Sequence, residues 1–147
     1  MALTERAEAL RGQAQEEARR LGHMYVSTEH ILLAIARHAT ERIRSALIHL
    51  EVETDELIEQ INASVSGSGA AGGQEDIPFS PRATRVFDRA LDASEHLGDR
   101  SADTEDVLLA LLEDEEGVAA QVLEEYGVDY ASVKGRLGSL QSRRGDG

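Results

Sequence analysis

The 147-residue chain has no cysteine and no tryptophan, and its formal net charge is −13. These facts exclude disulfides, thiolate metal sites and a cysteine nucleophile, and they argue against nucleic acid as a partner, because phosphate binding needs a basic face. No stretch approaches the roughly 20 apolar residues of a membrane span and no signal peptide precedes Thr4, so the chain reads as one compact, soluble, cytoplasmic domain with no membrane partner.

The predicted elements are all helical. In the first, Leu3, Ala7, Leu10, Ala14 and Leu21 fall on one face, with Thr4 as N-cap. A shorter second helix carries Ile31, Leu32 and Ile35 behind a Thr28 cap. The third carries Ile43, Ala46, Leu47 and Leu50, and the fourth Leu57 and Ile61 behind Thr54. Residues 66–76 have the Gly, Ser and Ala composition of a flexible linker. Beyond it a fifth helix opens on Ser80-Pro81, a hydroxyl cap before a proline at the first helical position, and carries Phe79, Ala83, Val86, Ala90 and Leu97. Thr104 caps a sixth with Val107, Leu108 and Leu111, Ala119, Val122, Leu123 and Tyr126 mark a seventh, and Asp129 caps an eighth with Val133 and Leu137.

The second four helices repeat the first four. Leu21-Gly22-His23 and Ser27-Thr28-Glu29-His30-Ile31-Leu32-Leu33-Ala34 return 76 positions later as Leu97-Gly98-Asp99 and Asp103-Thr104-Glu105-Asp106-Val107-Leu108-Leu109-Ala110. Leu3-Thr4-Glu5-Arg6-Ala7 maps onto Phe79-Ser80-Pro81-Arg82-Ala83 at the same offset. The expected architecture is therefore an all-α, pseudo-twofold double four-helix repeat. Its parts are residues 1–65, the linker 66–76, residues 77–140 and a polar tail at 141–147. A site in one half should have a counterpart in the other.

Known catalytic patterns are missing. There is no Gly-x-Ser-x-Gly and no His-Glu-x-x-His, and His23, His30, His38, His49 and His96 are scattered, so neither an enzyme, a metal nor a cofactor is expected. No Gly-x-x-x-x-Gly-Lys-[Ser/Thr] occurs, so no ATPase module is expected either.

Ala14-Gln15-Glu16-Glu17-Ala18-Arg19-Arg20-Leu21-Gly22-His23, Thr28-Glu29-His30-Ile31-Leu32-Leu33, Ile77-Pro78-Phe79-Ser80-Pro81-Arg82-Ala83 and Glu116-Gly117-Val118-Ala119-Ala120-Gln121-Val122-Leu123 resemble the N-terminal repeat domain of Clp unfoldases of the ClpC type. The resemblance covers about residues 3–140. It implies a stand-alone, non-enzymatic module that recruits protein substrates or adaptors of a Clp unfoldase, or the unfoldase itself. It further implies one phosphoarginine pocket per repeat, Thr4 with Glu29 in the first and Ser80 with Glu105 in the second. Independently, a helix start suits a phosphate and a carboxylate suits a guanidinium, although caps and first-turn acids also explain the same residues. The alternative reading is sequestration of cyclic-peptide antibiotics on a surface including Leu3, Phe79 and Arg82. The second repeat departs further from the family pattern than the first. Asp103 beside Glu105 adds negative charge, Asp106 and Asp99 stand where histidines are usual, and repeat one replaces a glycine-rich turn with Ala39-Thr40-Glu41-Arg42.

Overall fold

A computed structural model describes residues 3–64, 77–96 and 102–145. The expected linker at 66–76 lies outside them. Among the described residues eight helices follow in order: α1 (Glu5–Arg20), α2 (Thr28–Arg37), α3 (Glu41–His49), α4 (Thr54–Ser64), α5 (Pro81–His96), α6 (Thr104–Glu113), α7 (Val118–Glu125) and α8 (Tyr130–Gly145). The all-α reading holds. The last helix runs to Gly145, into the stretch read as a polar tail.

Helices α2 and α6 form the centre. The sequence placed one apolar face on each, yet Ile31 to Ala36 are all buried, as are Val107, Leu108, Ala110, Leu111 and Leu112. A helix buried on all sides needs neighbours on all sides, and α2 packs against α1, α4, α5, α6 and α7. The shared core is aliphatic apart from Phe87.

Helix starts refine the expected caps. Thr4 Oγ1 accepts from the Ala7 amide at 3.2 Å, and Ser80 Oγ accepts from Ala83 at 3.1 Å, as the sequence suggested. For α2 and α6 the caps are Ser27 and Asp103, one residue before the expected Thr28 and Thr104. The reason is a reciprocal pair in each. The Ser27 amide donates to His30 Nδ1 at 2.8 Å, and the Asp103 amide donates to Asp106 Oδ2 at 2.9 Å. Asp106 therefore performs the task of the histidine it replaces. Thr28, freed from capping, accepts the Ala119 amide of α7 at 3.3 Å.

α1 ends in a Schellman turn. Gly22, at φ +72°, donates to the Arg19 carbonyl at 3.1 Å, and His23 donates to Ala18 at 2.9 Å. α7 ends the same way at Gly127 (φ +76°). The counterpart of Gly127 in the first repeat is Glu51, which holds φ +65° despite its Cβ.

Two short parallel bridges decide how the halves join. Leu3 pairs with Ala102, and Val26 pairs with Phe79. The Thr4 amide donates to the Ala102 carbonyl at 2.9 Å, Val26 to Pro78 at 2.8 Å and Ser80 to Val26 at 2.9 Å. The segment leading into the first helix of each repeat is thus stitched to the loop before the second helix of the other.

Candidate functional site

That exchange regroups the candidate residues. Val26 binds the segment that leads into α5, so Glu29, the second residue of α2, shares a pocket with Ser80 rather than with Thr4. Ser27, Thr28, Glu29, Ser80, Pro81, Arg82, Arg85, Glu116, Gly117 and Val118 line one open pocket of about 450 Å³. The starts of α2, α5 and α7 converge on it, each bringing the partial positive charge of a helix N-terminus. The expected pairing of Thr4 with Glu29 inside one repeat is corrected: each pocket is assembled across the repeats.

The Glu29 pocket is polar and incompletely satisfied. Glu29 Oε1 is buried and has no hydrogen-bond partner among the described residues. Burying a charged oxygen without a partner is unfavourable unless something else meets it. Arg82 Nη1 reaches Asp114 Oδ1 at 2.7 Å, while Arg85 is exposed and forms no ion pair among the described residues. Gly117 closes one wall. A Cβ there would lie 3.1 Å from Thr28 Oγ1 and 3.3 Å from the Asp114 carbonyl, so a larger residue would push α7 and α2 apart by a few tenths of an ångström.

A second pocket of about 230 Å³ shares Arg82, Arg85 and Glu116 with the first and continues to Arg89 and Asp114. Arg82, Arg85 and Arg89 therefore form an arginine ladder on one face of α5, in which Arg82 pairs with Asp114, Arg89 pairs with Glu113 at 3.1 Å, and Arg85 is left as the cation without an ion pair among the described residues. Their counterparts on α1 are Arg6, Ala9 and Gln13, so the ladder belongs to the second repeat alone.

The opposite site holds Thr4 and Glu105, and its groups are occupied. Thr4 Oγ1 donates to Asp103 Oδ1 at 2.8 Å, and Arg6 pairs with both Asp103 oxygens. Burial pushes the Asp103 carboxyl upward, but hydrogen bonds from Arg6, the Thr104 amide and Thr4 outweigh it and hold it below the usual carboxylate value. Glu105 is only 6% exposed. It accepts from Thr40 Oγ1 at 2.9 Å and from Thr104 Oγ1 at 3.5 Å, and Arg42 Nη1 lies 3.7 Å from its other oxygen.

Of the residues expected for a peptide surface, Phe79 and Arg82 line different pockets. Phe79 meets Phe87 edge-on at 5.8 Å and lines a small pocket with Arg11, Thr84 and Phe87. Arg82 lines the Glu29 pocket, and Leu3 sits against Ala102. Among the described residues no cluster of three or more potential metal ligands occurs. His23 Nδ1 and His30 Nε2 do approach to 2.6 Å. Burial and the neighbouring His23 lower the His30 pKa to about 4, and its Nδ1 already accepts the Ser27 amide, which a second ring proton would displace.

Arg42, Arg85 and Val118 are site residues that sequence reasoning passed over. The 76-residue offset could have found them, since it places Arg42 opposite Val118 and Ala9 opposite Arg85.

Comparison with known proteins follows this geometry. The family model described as Clp repeat (R) N-terminal domain matches residues 2–126 and again 100–144. The chain is 37% identical over 134 residues to an ATP-dependent Clp protease ATP-binding subunit ClpA homolog of Porphyra purpurea, covering 91% of this chain and 16% of that protein. It is also 37% identical over 131 residues to the chloroplastic chaperone protein ClpC1 of Arabidopsis thaliana, covering 89% of this chain and 14% of that one. The chain therefore spans about a sixth of the length of such relatives. In fold, it is similar to the Hsp104 N-terminal domain of Candida albicans, with TM-score 0.77, 20% identity and coverage of 96% and 92% of the two chains. The ClpD N-terminal domain of Arabidopsis thaliana gives TM-score 0.72 and 24% identity, with coverage of 95% and 94%. No described helix is long and apolar enough to cross a membrane.

Proposed function

Because the chain belongs to the Clp repeat N-terminal domain family, we propose that it is a non-catalytic docking module holding arginine-bearing segments, phosphoarginine above all, of substrates or adaptors of a Clp unfoldase. The observation that carries this reading is Glu29, whose buried Oε1 has no partner among the described residues, lining one pocket together with Arg82 and Arg85. A free phosphate prefers a site without a buried carboxylate, and a free guanidinium prefers one without arginines. A ligand carrying both groups suits both ends.

The division of labour follows from charge. Glu29 accepts the guanidinium end through charge-assisted hydrogen bonds. The starts of α5 and α7, with Arg85 and Arg82, face the phosphoryl end. Ser80 fixes the α5 start by capping it, and Thr28 with Gly117 holds the α7 start beside it. No bond is made or broken, so recognition rests on placing opposite charges a ligand-length apart.

Isothermal titration with phosphoarginine, with arginine and phosphoserine as controls, tests this. Phosphoarginine should bind more tightly than either control, and Glu29→Gln should weaken it by roughly 10- to 100-fold, the range for losing a charged hydrogen-bond acceptor. Equal affinity in wild type and Glu29→Gln would remove Glu29 from the site.

A further inference from the structure

The duplicated scaffold offers two carboxylates at equivalent positions, and only one of them lacks a partner. Glu29 faces a pocket whose α7 wall carries Val118. At the position equivalent to Val118, the α3 wall of the Glu105 site carries Arg42. We propose that Arg42 is a built-in guest of the Glu105 site, so that the chain takes one arginine-type ligand and not two. The inference rests on the Glu29 reading above and concerns how many ligands that chemistry admits.

Arg42 places its guanidinium beside Glu105, in ion-pair range though beyond hydrogen-bond length, where an incoming guanidinium would have to sit. Its Nη1 lies 3.7 Å from Glu105 Oε2, and its Nη2 donates to the Leu137 carbonyl of α8 at 3.3 Å. Its Nε is buried, so the guanidinium is drawn into the protein rather than spread in solvent. The other Glu105 oxygen is held by Thr40, the residue before α3. A tethered side chain competes at the effective concentration of an intramolecular group, which a dilute ligand does not match.

The phosphate end of this second site is also spent. Asp103 stands where the Glu29 pocket has the neutral Ser27, and it draws Arg6 and the Thr4 hydroxyl onto itself. The α1 face has Ala9 and Gln13 in place of Arg85 and Arg89. An anion would therefore meet a carboxylate instead of an arginine ladder. Arg42 thus excludes the guanidinium half of a phosphoarginine, and Asp103 disfavours the phosphoryl half, which is why a second ligand admitted without Arg42 should bind more weakly.

Titration with phosphoarginine reads the stoichiometry directly. Wild type should bind one per chain, and Arg42→Val, which copies Val118, should admit a second, weaker one that Arg42→Val/Glu105→Gln loses. A wild-type stoichiometry of two overturns the proposal. So does a stoichiometry of one in a folded Arg42→Val, and that result leaves the Glu29 reading standing. Absence of binding by both proteins overturns the Glu29 reading together with this one. Val118→Arg supplies an arm independent of Arg42. It should copy the plug into the open site and cut wild-type affinity at least about tenfold, the scale for removing access to a buried charge partner. Unchanged affinity in a folded Val118→Arg contradicts the mechanism.

Discussion

The Glu29 and Glu105 sites come from the same duplicated sequence and the same crossing of segments, yet Glu29 keeps an oxygen without a partner among the described residues while Glu105 is held by Thr40 and Arg42. The backbone differs little in plan: each has a second-helix glutamate, a first-helix hydroxyl cap from the other repeat and the start of a third helix as its wall. Three side chains make the difference. Val118 leaves Glu29 exposed to a ligand where Arg42 covers Glu105, Ser27 is neutral where Asp103 is charged, and Arg85 offers a cation where Ala9 offers none. Duplication thus copies a scaffold faithfully while binding capacity is decided by the few residues that reach into each cleft.

The largest contrast to break is between His30 and Asp106, which perform the same capping task with different titration ranges. The folded His30 pKa near 4 lies below the ordinary 6.5. Between those values the unfolded chain takes up a proton that the folded chain refuses, so stability is full above pH 6.5 and falls as pH drops toward 4. The loss reaches about 3 kcal/mol by linkage. Urea midpoints at pH 7 and pH 4.2 should show His30→Asp, which copies the second repeat, losing much less over that interval than wild type. Equal losses would detach His30 from acid sensitivity.

Next in size is the stability difference between the two glutamates. Glu105→Ala strands the half-covered Arg42 and should cost about 2 kcal/mol, discounted from the full value for a buried pair because Arg42 retains some solvent. Glu29→Ala removes an oxygen that has no partner and should cost less than about 0.5 kcal/mol. Differential scanning calorimetry separates the two, and reversed values would exchange the roles assigned to the sites.

Gly117→Ala sharpens the comparison at the pocket wall. Its Cβ must push Thr28 or the Asp114 backbone aside, at about 1 kcal/mol, and should weaken phosphoarginine binding severalfold. The smallest effect lies away from both sites. Glu51→Gly should raise stability by about 0.5–1 kcal/mol, because Glu51 holds the left-handed conformation that Gly127 adopts freely. A fall in the chemical denaturation midpoint would show that the Glu51 side chain contributes more than its backbone costs.

Much of the fold was legible because helical spacing and caps are local. Thr4, Ser80 and Asp129 cap as their neighbours suggested; Asp129 Oδ1 accepts the Ser132 amide at 2.9 Å. Thr28 and Thr104 misled by one residue, since His30 and Asp106 complete reciprocal pairs with Ser27 and Asp103, and Thr28 is claimed by α7. The candidate site residues were singled out one by one, but their grouping in space was not legible. A 76-residue offset is satisfied equally by pockets within repeats and between them, and only the Leu3–Ala102 and Val26–Phe79 bridges separate the two. Arg42 was read as a turn substitution because its partners, Glu105 and Leu137, are 63 and 95 positions away. Such distances leave no trace in local pattern.

The crossed bridges have a consequence for ancestry. A polypeptide holding a single copy of this unit would have had no complete cleft of its own, and two such molecules would have had to clasp each other to make a pair of identical ones. Fusing the copies into one strand releases the two clefts from that enforced identity, so each can change its side chains independently of the other.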